Sequence, residues 1–182
     1  MSLVNSKEIA QVVKLDKFGW MGTMMGWMLL KTLRISKLNR IYERHKHKED
    51  IVFLDGILKD FQIHFEIPDD DLARIPKNGA FITVSNHPLG GIDGILLLKL
   101  LVEKRPDYKI IANFLLHRIV PLKKYVMPVN PFEDHKDAKS SITGIKNALV
   151  HLSQGYPLGI FPAGEVYYFK DVKLMVDKPW EE

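Results

Sequence analysis

The sequence predicts an α/β fold, a mostly parallel sheet flanked by helices, preceded by an N-terminal helical segment that faces a membrane. Three observations predict it. Short apolar runs at 81–85, 108–112, 126–129 and 158–161 read as buried strands, helix-period segments at 92–103 and 138–153 lie between them, and an apolar and basic stretch precedes them all. Strands alternating with helices imply βαβ units and therefore parallel pairing.

Taken in order, residues 18–30 form a run of thirteen uncharged residues bounded by Lys17 and Lys31. As a helix it reaches about 20 Å, short of the roughly 30 Å of hydrocarbon that a spanning helix must cross. A secretory signal is excluded as well, because Lys31 and Arg34 stand where a small-residue cleavage site belongs. A basic helix follows over 29–45, with Leu30, Leu33, Leu38, Ile41 and Tyr42 on one side. Residues 51–58 read as a helix, and 62–66 alternate like an edge strand. Pro68 and three aspartates open a short helix. The strand at 81–85 is entered through Asn78 and Gly79. The helix at 138–153 sets Ile142, Ile145, Leu149 and Leu152 at helical spacing and stops at Gly155. The domain division is 1–50 for the apolar and basic segment and 51–182 for the α/β body.

Composition limits the chemistry. With 182 residues, 46% hydrophobic and 26% charged, the chain suits one soluble domain, which excludes disorder, collagen-like repeats and a polytopic membrane protein. The absence of Cys excludes a disulfide scaffold, a thiolate nucleophile and Cys-ligated metals. The net charge of +4 is uneven: eight basic residues face one acid between Lys17 and Lys48, so that stretch carries +7 and the remainder −3. A Trp- and Met-rich run next to Lys and Arg can lie in a membrane interface, so residues 17–48 are expected to hold the protein peripherally on the cytoplasmic face of an inner membrane. The same segment also fits an ordinary helical layer packed on the domain. Trp20, Trp27 and the methionines around them suit lipid better than a phosphate backbone, so no nucleic acid is expected. No metal is expected, because His45 and His47 point apart on a helix and read as solvated charge.

In parallel α/β sheets ligands sit at the carboxyl ends of the strands. His87 follows the first strand, with Asn86 before it, then Pro88, Gly90 and Gly91, and Asp93 at a helix start. A carboxylate there can accept the Nδ1 proton of the imidazole, leaving Nε2 as a general base. The glycines allow positive φ and close backbone approach, and amides at the helix start can meet an oxyanion or phosphate. The structural alternative makes Asn86 and Asp93 turn and cap residues, and His87 a structural hydrogen-bonder.

Three ordered stretches carry a resemblance: Thr83-Val-Ser-Asn-His-Pro-Leu-Gly-Gly-Ile-Asp-Gly94, Asn130-Pro-Phe132 and Gly159-Ile-Phe-Pro-Ala-Gly-Glu165. They resemble the successive motifs of the glycerolipid and lysophospholipid acyltransferase family, most of all its hemolysin-like bacterial branch, which includes the O-acyltransferases of ornithine and glycine lipids. The resemblance implies transfer of a fatty acyl group from a thioester, acyl carrier protein or coenzyme A, to the hydroxyl of a lysolipid, with no bound cofactor. It implies His87 as general base, Asp93 as the group that orients it, and an acceptor pocket lined by Phe161, Pro162, Gly164 and Glu165. Arg118 could meet an anionic group. The alternative is an inactive membrane lipid-binding module of the same fold.

Three departures from the family pattern matter. Five residues, not the usual four, separate His87 from Asp93, and the Gly90–Gly91 pair could absorb the extra one. The third motif has Glu165 and lacks the usual Arg, which favours a zwitterionic or amino-acid-headed lysolipid over a phosphate-headed one. The family continues with further strands beyond the equivalent of Glu182, so the sheet is expected to be incomplete at its C-terminal end, with an exposed edge that favours self-association.

Overall fold

The computed structural model describes residues 35–129, 138–163, 168–169 and 175–176. In chain order the elements are α1 (Ile35–His45), α2 (Asp50–Asp60), α3 (Asp69–Ala73), β1 (Ile82–Val84), α4 (Gly91–Lys104), β2 (Lys109–Asn113), β3 (Val126–Val129), α5 (Ala138–Ser153), β4 (Leu158–Ile160), β5 (Tyr168–Phe169) and β6 (Met175–Val176). Two 3-10 segments, Phe114–Arg118 and Val120–Tyr125, carry the chain from β2 to β3. The apolar run at 18–30 lies outside the described residues. No described helix is long and apolar enough to cross a membrane.

The main sheet has the order β1-β4-β2-β3, with every pair parallel, so the α/β expectation is met. Alternation along the strands sends side chains to two cores. Ile110 and Val126, paired in register, join Ile41, Tyr42, Phe53, Leu54, Leu98 and Tyr108 on the face covered by α1, α2 and α4. Ile111 and Met127, the next pair, point the other way, where Met127 meets Ala148 of α5 and Leu158 of β4. Pro128, which has no amide to donate, sits in β3, an edge strand.

Tyr108 ties the strands together on the first face. Its hydroxyl passes over β4 at Gly159 to reach Thr83 Oγ1 of β1, 2.5 Å away. A side chain at position 159 would run into that hydroxyl and into Ile110 Cγ2, so the glycine is a packing requirement. Burial pushes the Tyr108 phenol up to about 12. Arg105 holds the entry to β1: it is buried, grips both carboxylate oxygens of Asp107 at 2.9 and 2.7 Å, and donates to the carbonyls of Pro76 and Gly79.

The structure corrects three sequence expectations. Residues 62–66 form no strand. Ile63 N–H donates to Leu58 O and Gln62 N–H to Lys59 O, with Gln62 at φ 57°, so the alternating start of that stretch is a helix C-cap in which Ile63 is the apolar cap residue. The strand at 81–85 is not buried: β1 is an edge strand, and Ile82 and Val84 are 51% and 46% exposed. The helix expected at 138–153 is present as α5, with Ile142, Ile145 and Leu149 facing outward at 50%, 50% and 61% exposure because it rests on the sheet through Gly144, Ala148 and His151. Finally, His45 is not solvated. It is buried against Gly56, with Nε2 2.9 Å from Asp60 Oδ2. The stop at Gly155 stands: its φ is 88°, and Tyr156 N–H closes onto His151 O.

Candidate active site

The carboxyl end of β1 makes the site. Ser85 N–H donates to Ile160 O, which keeps β1 and β4 side by side past their last paired residues. The two chains then leave the sheet together, and the His87 and Phe161 rings meet with centroids 4.5 Å apart and planes tilted by 33°. Two motifs 74 positions apart in sequence thus share one spot because parallel strands deliver both ends to the same edge of the sheet.

The turn after His87 is built to aim Asp93. Gly90 takes φ 66° and ψ −126° at the N-cap of α4, a region that suits glycine alone, and the Asp93 amide returns to Gly90 O at 3.1 Å. Asp93 Oδ2 accepts the Leu89 amide at 2.6 Å, so the carboxylate is held inside the turn. The same oxygen lies 3.8 Å from His87 Nδ1. That is beyond a hydrogen bond, so the expected Asp93 to Nδ1 link exists here as a charge contact. His87 Nδ1 is buried without a hydrogen-bond partner, so the ring's remaining exposure, 22% for the side chain, belongs to its other atoms. Burial lowers the His87 pKa from 6.5, against an opposing upward pull from Asp93. The imidazole is therefore neutral at neutral pH and able to take a proton.

The sequence-predicted residues divide into three groups. His87, Asp93, Gly90 and Phe161 are brought together, with Asn86 exposed beside them and Pro162 following Phe161. Gly91 begins α4 with open space where a side chain would stand, leaving room for a ligand over the helix start. Arg118 sits exposed at the end of the 3-10 segment after β2, two strands away from β1 in the sheet order. Gly164, Glu165 and the motif at 130–132 lie outside the described residues. No group of His and carboxylates suited to a metal occurs among the described residues.

Two contributors are not marked in the sequence. The Leu89 amide carries no side-chain signal; a Gly at the helix cap is the only hint that a backbone donor would turn inward. The other is an apolar cleft of about 400 Å³ beside β1, where Thr83, Val84 and Ser85 face Leu97, Leu100 and Leu101 of α4. It ends two residues short of His87, and its lining suits an aliphatic chain. Its signal was the unbroken apolar character of residues 95–98 and 100–102 in α4, more than one buried face requires.

One parallel edge of the sheet thus carries a neutral His, a turn-held carboxylate and, beside them, an apolar cleft. An acyltransferase family model matches residues 17–181. The chain belongs to this acyltransferase family. It is 26% identical over 129 residues to a lyso-glycine lipid O-acyltransferase of Phocaeicola vulgatus, an alignment covering 70% of this chain and 46% of the relative. It is 30% identical over 104 residues to the lyso-glycine lipid O-acyltransferase of Bacteroides thetaiotaomicron, covering 56% and 37%. The chain thus spans less than half the length of these curated relatives. No solved structure matches it.

Proposed function

We propose that the protein transfers a fatty acyl group from a thioester, carried by acyl carrier protein or coenzyme A, to the hydroxyl of a lysolipid at a membrane surface. One observation carries the reading: a neutral, partly accessible His87 beside Asp93 at the carboxyl end of β1, in a family of acyltransferases. His87 Nε2 takes the proton of the acceptor hydroxyl as its oxygen attacks the thioester carbonyl. The charge of Asp93 stabilises the imidazolium that forms. The tetrahedral intermediate collapses with loss of the C–S bond, and the thiolate takes the proton from His87, leaving an ester and a free thiol. No acyl-enzyme is needed, in keeping with a chain that has no Cys. The cleft between β1 and α4 would hold the acyl chain.

The acceptor is proposed to carry an amino-acid or zwitterionic headgroup. The third motif lacks the usual Arg and carries the negative charge of Glu165, which disfavours a phosphate headgroup, and the two relatives named for lyso-glycine lipid support the same side. The test offers the protein a lyso-aminolipid and lysophosphatidate with each donor and identifies products by mass. Ester formed preferentially on the aminolipid is the expected result. Preference for lysophosphatidate rejects the headgroup; free fatty acid alone would mean a hydrolase; and lipid binding without product would mean an inactive binding module.

A further inference from the structure

Phe161 follows directly on β4, a strand set between β1 and β2, yet this large aromatic belongs to neither apolar core. Its ring lies instead on the ring of His87, with centroids 4.5 Å apart and planes tilted by 33°. The chain is fixed on both sides of it. Ile160 O accepts the Ser85 amide at 3.2 Å, Ala163 is buried, and Pro162 restricts the residue before it to extended backbone. The backbones of two neighbouring strands therefore deliver the stack.

A histidine that acts as a base ordinarily has its ring held by a hydrogen bond at the nitrogen that does not react. His87 lacks that bond. Its Nδ1 is buried without a partner, and Asp93 Oδ2 stands 3.8 Å away, held at 2.6 Å by the Leu89 amide inside the turn that Gly90 makes at φ 66°. The last torsion of a His side chain is broad, so an imidazole without a hydrogen bond turns easily about its Cβ–Cγ bond. A flat ring against one face removes that freedom, because the edge of a turning imidazole would strike it. Aromatic pairs at this separation also attract each other. The same contact keeps water from one face of His87. Burial is the larger influence on its pKa, and Asp93 is the one charge that opposes it among the described residues.

We propose that Phe161 is the positioning residue of this site: its ring, and not a hydrogen bond to Asp93, sets the orientation of the His87 imidazole and shields one face of it. Asp93 then contributes charge, and orientation falls to a residue of a different motif. Lining an acceptor pocket requires only apolar bulk, whereas this role requires a flat ring. The inference rests on the reading of His87 as the base.

The test compares the full chain with Phe161→Leu, which keeps apolar bulk and loses the flat face, and with Phe161→Tyr, which keeps the ring. The titration of His87 is followed by NMR on protein labelled in its histidine rings, with His87→Ala identifying its signal among the seven His. Transfer is measured with an acyl thioester and a lyso-aminolipid. In Phe161→Leu the His87 midpoint should rise toward 6.5, because water reaches the uncovered face. A misaimed base should also lower kcat roughly tenfold to a hundredfold, with KM for the acceptor changed by less than about twofold. Phe161→Tyr should return both to near the wild-type values. An unmoved midpoint in Phe161→Leu overturns the proposal. So does a raised KM with kcat in place, or a Tyr variant that behaves like the Leu variant. The buried His45 and His151 report in the same spectra whether each variant is folded, and Phe161→Met replaces a Leu variant that is not. A wild type that makes no ester rejects the base reading, while the His87 titration still decides the stack.

Discussion

His87 and Asp93 are 3.8 Å apart, and that small gap sets what each can be asked to show. Burial lowers the His87 pKa and the Asp93 charge raises it, burial being the larger. If His87 is the base, kcat/KM should be flat near neutral pH and fall on the acid side, with its midpoint below 6.5. Replacing Asp93 by Asn removes the upward influence, so the acid limb should move to still lower pH even as the rate drops. A pH–rate profile of both proteins checks this, and a limb that moves to higher pH would contradict it. The His and the carboxylate were legible in the sequence because chemistry-bearing residues clustered after a strand. Their geometry was not, since the Leu89 amide that occupies Asp93 belongs to the backbone and leaves no mark on residue type.

The elements show why a strand was easier to find than to place. The run 81–85 was recognised as a strand from its apolar residues, but an edge strand and a central one share that composition, and Ile82 and Val84 proved to be half-exposed. The order β1-β4-β2-β3 depends on where β4 inserts, and Gly159 records that insertion because Tyr108 must pass over it to reach Thr83. Gly159→Ala should therefore destabilise the protein by about 1–3 kcal/mol through overpacking. In a Tyr108→Phe background the cost should be smaller, since the closest obstructing atom is gone. A double-mutant cycle by urea denaturation gives the coupling, and strict additivity would reject this packing account. The cleft between β1 and α4 yields its own prediction. Leu97→Trp should slow transfer of long acyl chains more than short ones, read from relative kcat/KM across a series of thioesters, while equal losses at every length would remove the cleft from the acyl path.

At the scale of the whole molecule, a basic sequence segment and an α/β body were read as two parts, yet Ile41 and Tyr42 of α1 enter the same core as Leu98 and Ile110. The helical layer reading therefore holds for α1, and any membrane contact would belong to the residues outside that packing. Helical periodicity could not reveal this, because an apolar stripe marks only that a helix has a side to cover. On α5 the stripe and the covered side differ, since the close approach to β3 is made through Gly144, which has no side chain. The charges of the folded chain also act together. His87 and His151 have pKa values lowered chiefly by burial, and those of Asp60 and Asp107 are lowered chiefly by hydrogen bonds from His45 and Arg105. Each of these groups holds its proton less tightly folded than unfolded, so stability is full above about 6.5. It should decline as pH falls below 6.5 through the histidines, then further below 3.8 through the carboxylates. Urea midpoints measured from pH 8 to pH 3 should fall in that direction; a midpoint that rises on acidification would contradict the assignment.

His87 is proposed as the group that removes the acceptor proton. The direct measurement is the rate of ester formation from an acyl thioester and a lyso-aminolipid by the wild-type protein and by His87→Ala, with the urea midpoint of each recorded alongside. The predicted result is ester from the wild type and a rate lower by about 10²–10⁴ in a variant that remains folded. Equal rates in the two proteins would contradict it.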